Sequence, residues 1–65
     1  MNWQYYIDNT NTLHRYDMNA GMFMLIDSGK WLWLYTGHEQ MQIAIYMKTH
    51  ELHAILEDEA FLAAI

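Results

Sequence analysis

Apolar and polar side chains alternate along the first two-thirds of this chain in short blocks separated by turn-forming clusters. The clusters are Asp8-Asn9-Thr10-Asn11-Thr12, Asn19-Ala20-Gly21, Asp27-Ser28-Gly29-Lys30 and Thr36-Gly37-His38-Glu39. Asn, Asp and Thr side chains bond their own backbone in turns, and Gly accepts positive φ. Apolar blocks at roughly 8–12 residue spacing are the pattern of an antiparallel meander. The spacing predicts strands over 3–8, 12–18, 22–27, 31–36 and 41–47.

The strongest turn signal is Asp27-Ser28-Gly29-Lys30, between Met22–Ile26 and Trp31–Tyr35. Gly29 suits the left-handed position of a short hairpin loop. Strand alternation puts Trp31, Trp33 and Tyr35 on one face and Leu32 and Leu34 on the other. Met22–Ile26 and Trp31–Tyr35 are both apolar on both faces, so these two strands are expected at the centre of the sheet, covered on both sides. The fifth segment carries two signals. Met41, Ile43, Ile45 and Met47 alternate with Gln42, Ala44, Tyr46 and Lys48, whereas Thr36-Gly37-His38-Glu39 fits a capping box that would start a helix. The alternation is preferred here, so 41–47 is expected as a strand.

Residues 50–64 hold Leu, Ala and Glu without a breaker, behind Thr49 as N-cap and with Glu51 in the first turn, and predict a helix. Leu52, Ile55, Leu56, Leu62 and Ala63 share one stripe, with Glu59 in its middle and Phe61 and Ile65 on the opposite side. Either the helix breaks near Glu57-Asp58-Glu59, with Asp58 capping a short second helix that returns Phe61 to the core, or Phe61 and Ile65 face a partner. The break is slightly preferred. The expected fold is α+β: a small antiparallel meander of four or five strands, then a C-terminal helix packed on one sheet face, in a single domain over 1–65.

Composition alters the picture in three ways. A chain of 65 residues buries only about 60% of the surface its unfolded form exposes. With no Cys, disulfides and Cys-based zinc sites are excluded, which leaves self-association, a homodimer above all, as the expected way to enlarge the core. Hydrophobic residues make up 54% and charged ones 17%, too apolar for disorder and sparing in charge for so small a protein. No apolar run approaches the roughly 18 residues of a membrane span, and Met1-Asn2-Trp3-Gln4 carries no basic region, so a cytoplasmic protein is expected. Net charge is −5, with Arg15, Lys30 and Lys48 the strong cations, which argues against direct nucleic-acid binding.

Candidate chemistry is sparse. On the expected helix His50 and His53 face one side, with Glu57 at the next turn, but two local His ligands fall short of a zinc site and His50-Glu51-Leu52-His53 is not the zincin spacing. Solvated histidines are the preferred reading. Asp17-Met18-Asn19-Ala20-Gly21 lacks the oxygen ligands of a calcium loop and reads as a turn capped by Asp17. Ser28, the one serine, sits in a hairpin turn without a base, and the neighbouring Glu57, Asp58 and Glu59 diverge by about 100° each on a helix. No catalytic residue, metal or cofactor is expected.

The aromatic residues carry the functional expectation. Trp3, Tyr5, Tyr6, Tyr16, Trp31, Trp33, Tyr35 and Tyr46 all fall on expected strands, and one helix covers only one face of the sheet. Trp and Tyr dominate binding hot spots. The candidate binding residues are therefore Trp31, Trp33, Tyr35 and Tyr5, with Phe61, Ile65, Glu57 and Asp58 from the C-terminal segment. In style (short, acidic, aromatic-rich, opening on Met, without a catalytic motif) the chain is similar to small proteins of phages and mobile elements. That resemblance implies a stoichiometric inhibitor of a host enzyme or defence complex, and a small bacterial adaptor fits equally. The leading expectation is a protein-binding inhibitor or adaptor. The alternatives are a single-stranded nucleic-acid or small-ligand binder stacking on Trp31, Trp33 and Tyr35, and a structural subunit that lends its edge strand to neighbours.

Overall fold

Four of the five expected strands form where the alternation places them. The computed structural model describes residues 2–36 and 38–63. Its elements are β1 (Gln4–Ile7), β2 (Leu13–Asp17), β3 (Met22–Asp27), β4 (Lys30–Thr36), α1 (Gln40–Thr49), β5 (His53–Ile55) and α2 (Glu57–Ala63). The five strands make one antiparallel sheet in the order β4-β3-β2-β1-β5. Thus β3 is interior as expected, whereas β4, expected at the centre because both its faces are apolar, ends the sheet. The architecture is thus the expected small α+β meander with a helix packed on the sheet.

The turns follow from their side chains. Asp8 accepts backbone hydrogen bonds from Thr10 at 2.9 Å and Thr12 at 2.8 Å, closing the β1–β2 loop. Asp17 accepts from Asn19 at 2.9 Å and Ala20 at 3.1 Å, the capped turn its residue type predicts. In the β3–β4 hairpin Asp27 pairs with Lys30 across Ser28 and Gly29, whose φ angles are 52° and 77°. Two consecutive positive φ values make a type I′ turn, whose twist matches that of the flanking strands.

The registers divide the sheet into two faces. Tyr6, His14, Tyr16, Phe23 and Leu25 lie on the first; Tyr5, Leu13, Arg15, Met24, Trp31 and Trp33 lie on the second. Trp31 and Trp33 share a face opposite Leu32, as alternation requires. Tyr35 does not join them. The β3–β4 register shifts between Phe23 and Met24, so that Met24 pairs with Trp33 and Phe23 with Tyr35. This irregularity absorbs one residue of β4 and moves Tyr35 to the first face.

The second half of the chain differs from expectation. Residues 41–47 are helical, within α1, and not a strand. Of the expected capping box one bond forms: the Glu39 carboxylate accepts the Thr36 backbone N–H at 2.9 Å in the turn before the helix. Glu39, and not Thr36, is the N-cap of α1 and makes no side-chain cap bond to it. The expected helix over 50–64 is absent too. Thr49 ends α1 instead of capping a new helix. Glu51 then adopts φ of 54°, with hydrogen bonds from its N–H to the Lys48 carbonyl and from the Leu52 N–H to the Met47 carbonyl. That is a Schellman stop with Glu in the position glycine usually takes. The released segment adds β5 to the free edge of β1, pairing Ile7 with His53 and Tyr5 with Ile55. The chain does break before the acidic cluster, but Phe61 does not return to the core and stays 73% exposed.

Each helix takes one face. On the first, α1 brings Tyr46 against Phe23 and Tyr35, with ring centroids 5.5 and 5.9 Å apart. On the second, α2 seats Ala60, 2% exposed, over Tyr5 and Leu13. His14 is fully buried beneath α1. Its Nδ1–H donates to the Thr12 carbonyl at 3.0 Å, which leaves Nε2 to accept the Tyr46 hydroxyl at 2.8 Å.

Two tests follow from this pair. Tyr46→Phe strands the buried Nε2 acceptor and should lower unfolding free energy by about 1–3 kcal/mol in urea titrations. An unchanged midpoint would show the bond to be unimportant. Burial also pushes the His14 pKa below its ordinary 6.5, against the opposing pull of the Thr12 carbonyl and Asp8. The unfolded chain therefore binds the proton first as pH falls, so the His14 contribution is complete above 6.5 and is lost in mildly acid solution. Thermal midpoints measured from neutral pH down to about pH 5 should fall in wild type and less in His14→Gln.

Candidate functional site

Four of the candidate binding residues come together on the second face of the sheet. Tyr5 of β1, Trp31 of β4 and Glu57 and Phe61 of α2 line one groove of about 190 Å³, whose floor is Leu13 and Arg15 of β2. Ala60 completes the wall. Sheet register places Tyr5 beside Arg15 directly, and Arg15 beside Met24. The strand β5 is what delivers α2 to this position, because Ile55 is paired with Tyr5 two residues before the helix begins.

Arg15 is the organising side chain. Its guanidinium lies over the Trp3 ring and over the Trp31 ring, 4.1 Å from each centroid. A cation over an indole face gains about 0.5–1 kcal/mol from each ring when exposed and more when desolvated. One Nη donates weakly to the Met24 sulfur at 3.5 Å, and the buried Nε has no hydrogen-bond partner among the described residues. Burial pulls the guanidinium pKa down from its ordinary value, and Tyr5 works in the opposite sense, yet the group stays cationic at neutral pH. The groove therefore has aromatic walls, a cation at its base and the Glu57 carboxylate at its rim.

The remaining candidates lie elsewhere. Trp33 is on the same face but outside the groove, 57% exposed, beside a shallow depression with Met18, Thr36 and His38. Asp58 is exposed on α2 without lining the groove. Tyr35 is on the first face against Phe23 and Tyr46, so the stacking platform of Trp31, Trp33 and Tyr35 is not assembled. Trp31 also has one ring face already occupied by Arg15. Ile65 lies outside the described residues.

The histidine pair is separated as well. His50 caps the C-terminus of α1 and stacks on Tyr46 with centroids 4.1 Å apart, whereas His53 is on β5 opposite Ile7. The expected helix that would have aligned them does not form. Among the described residues no group of three or more His, Cys, Asp or Glu side chains is placed to hold a metal ion. No helix of the described residues is long and apolar enough to cross a membrane.

Arg15 is the groove residue absent from the candidates named in the sequence, where it counted as one of three scattered cations. A visible signal was its place in mid-strand, two residues from Leu13 and Asp17, where an unneutralised cation in an aromatic-rich chain implies stacked rings. No protein-family model, curated protein or solved structure matches this chain.

The stacking has a direct test. Arg15→Lys keeps the charge but loses the planar contact with both indoles, and should cost about 1–2 kcal/mol of stability and shift tryptophan emission. Unchanged melting and emission would mean that charge alone matters at this position.

Proposed function

We propose that this chain is a non-catalytic protein-binding module that acts stoichiometrically, as an inhibitor or adaptor of a larger protein complex in a cytoplasmic setting. The observation that carries this reading is the groove in which Tyr5, Trp31 and Phe61 stand around Arg15. Aromatic residues and Arg are the types enriched in binding hot spots, where one partner inserts an anchor side chain. At about 190 Å³ the groove is below the roughly 300–1,000 Å³ usual for small-molecule and cofactor sites, and suits one such anchor. Trp31 is pinned by Arg15, so little side-chain freedom is lost when it is covered.

Phe61, Leu56 and Leu62 are 70–73% exposed on or beside α2, and Trp33 is 57% exposed farther along the same sheet face. Apolar groups of this size next to a preformed groove suit an interface core. Glu57, Asp58 and Glu59 form the first turn of α2 and supply an acidic border. Together with the net charge of −5 they favour a partner with a basic surface, which electrostatic attraction would steer toward this end of the molecule.

The test compares affinity capture by wild type with capture by Phe61→Ala and by Met41→Ala, a variant of an exposed residue on α1. Both should melt within about 0.5 kcal/mol of wild type. A partner recovered by wild type and identified by mass spectrometry should bind Phe61→Ala more weakly by about 2 kcal/mol, near thirtyfold, and Met41→Ala unchanged. Equal binding by all three proteins would refute the groove as the contact.

A further inference from the structure

We propose that a second copy of this chain pairs with the outer edge of β4, antiparallel, across a twofold axis at Leu32. β4 ends the sheet and is seven residues long, whereas β5 at the other end has three. An edge strand presents unpaired N–H and C=O groups that template a further strand, and proteins usually blunt it with Pro, charge or bulges. The chain has no Pro, and β4 carries one charge, Lys30, at its start. Its irregularity lies opposite Phe23 and Met24, which leaves Lys30–Trp33 in regular register.

Charge selects both the edge and the occupant. The eight carboxylates of the chain all lie off β4, while β5 is bracketed by Glu51 and Glu57. β4 is thus the edge where two copies, each of charge −5, meet without carboxylates facing one another across the paired strands. Antiparallel pairing of a strand with itself is also self-complementary, which is the condition for an isologous dimer. With Leu32 opposite Leu32 of the second copy, Trp31 falls opposite Trp33 of the second copy, twice, on the second face. Leu32 and Trp33 are 45% and 57% exposed in the single chain. Four indoles of roughly 150–250 Å² each, already partly covered, supply less than the roughly 1,200 Å² of a stable interface. The dimer is accordingly reversible and concentration-dependent. It does not depend on the groove having a partner.

The absence of native Cys makes the test clean. Sedimentation velocity should show wild type passing from monomer to dimer between micromolar and millimolar concentration. Residues directly opposite in an antiparallel pair have Cα atoms about 4.5–5.5 Å apart, within disulfide reach, so Leu32→Cys should give mostly disulfide-linked dimer on mild oxidation. Phe61→Cys, on α2, should give little. Leu32→Lys should weaken the dimer at least about tenfold while leaving the monomer's melt unchanged. A wild type that stays monomeric throughout overturns the proposal, as does a dimer that survives Leu32→Lys or cross-links through Phe61→Cys instead.

Discussion

Phe23 has no exposed surface, and four other rings meet it: His14, Tyr16, Tyr35 and Tyr46, at centroid distances of 5.5–6.3 Å. A chain of this size cannot build a deep core of aliphatic layers, so it concentrates burial around one ring at the middle of the sheet. Three of those partners come from the sheet, and Tyr46 comes from α1. The hydroxyl of Tyr46, donated to His14, then fixes where α1 lies and which way it leaves the sheet. The Asn9 N–H bond to the His50 carbonyl, at 3.0 Å, ties the end of α1 to the β1–β2 loop. From that point the chain can reach only the open edge of β1. β5, α2 and the groove all follow from the placement of one helix on one ring.

The legibility of the sequence divides at residue 37. Before it, alternation and turn chemistry place the strands and loops through residue types such as Asp8, Asp17 and Gly29. They do not place the face of Tyr35, which the irregularity in β4 reverses, nor the position of β4, which ends the sheet instead of lying at its centre. After it, local and global preferences conflict. α1 fully buries only Ile43 and leaves Met41 and Ile45 exposed, so its apolar residues form no helical stripe and happen to alternate like a strand. The helix stop was invisible because Glu51, not Gly, takes the left-handed position. The segment His53–Ile55 has no strong strand preference; it pairs because β1 offers an edge, a tertiary effect that outweighs propensity.

The groove was half legible for the same reason. Tyr5, Trp31 and Phe61 could be named as binding residues from their types, since large aromatic groups exceed what so small a core can hold, and Glu57 as part of the acidic cluster beside them. Their convergence depends on the β5 pairing and on the irregularity that removes Tyr35 from the face, neither of which has a sequence signature. Arg15 escaped notice because its importance lies in what stacks on it, and contact between Trp3 and Trp31 through a third side chain is a property of register.

The two walls of the groove differ in stiffness, and this matters for how it binds. The sheet side is held by strand pairing and by the doubly stacked Arg15. The α2 side is a helix of seven residues whose one buried side chain among those described is Ala60. Helices this short are marginal on their own and depend on tertiary contact, and α2 has little of it. Local opening of α2 therefore costs less than opening the sheet, and Phe61 is the group it carries away from the groove. A partner that fills the groove contacts Phe61 and Trp31 together, so it stabilises the closed position of α2 by mass action. Affinity and the order of α2 are then linked, and substitutions that strengthen the helix without touching the groove would tighten binding by reducing the cost of ordering that wall.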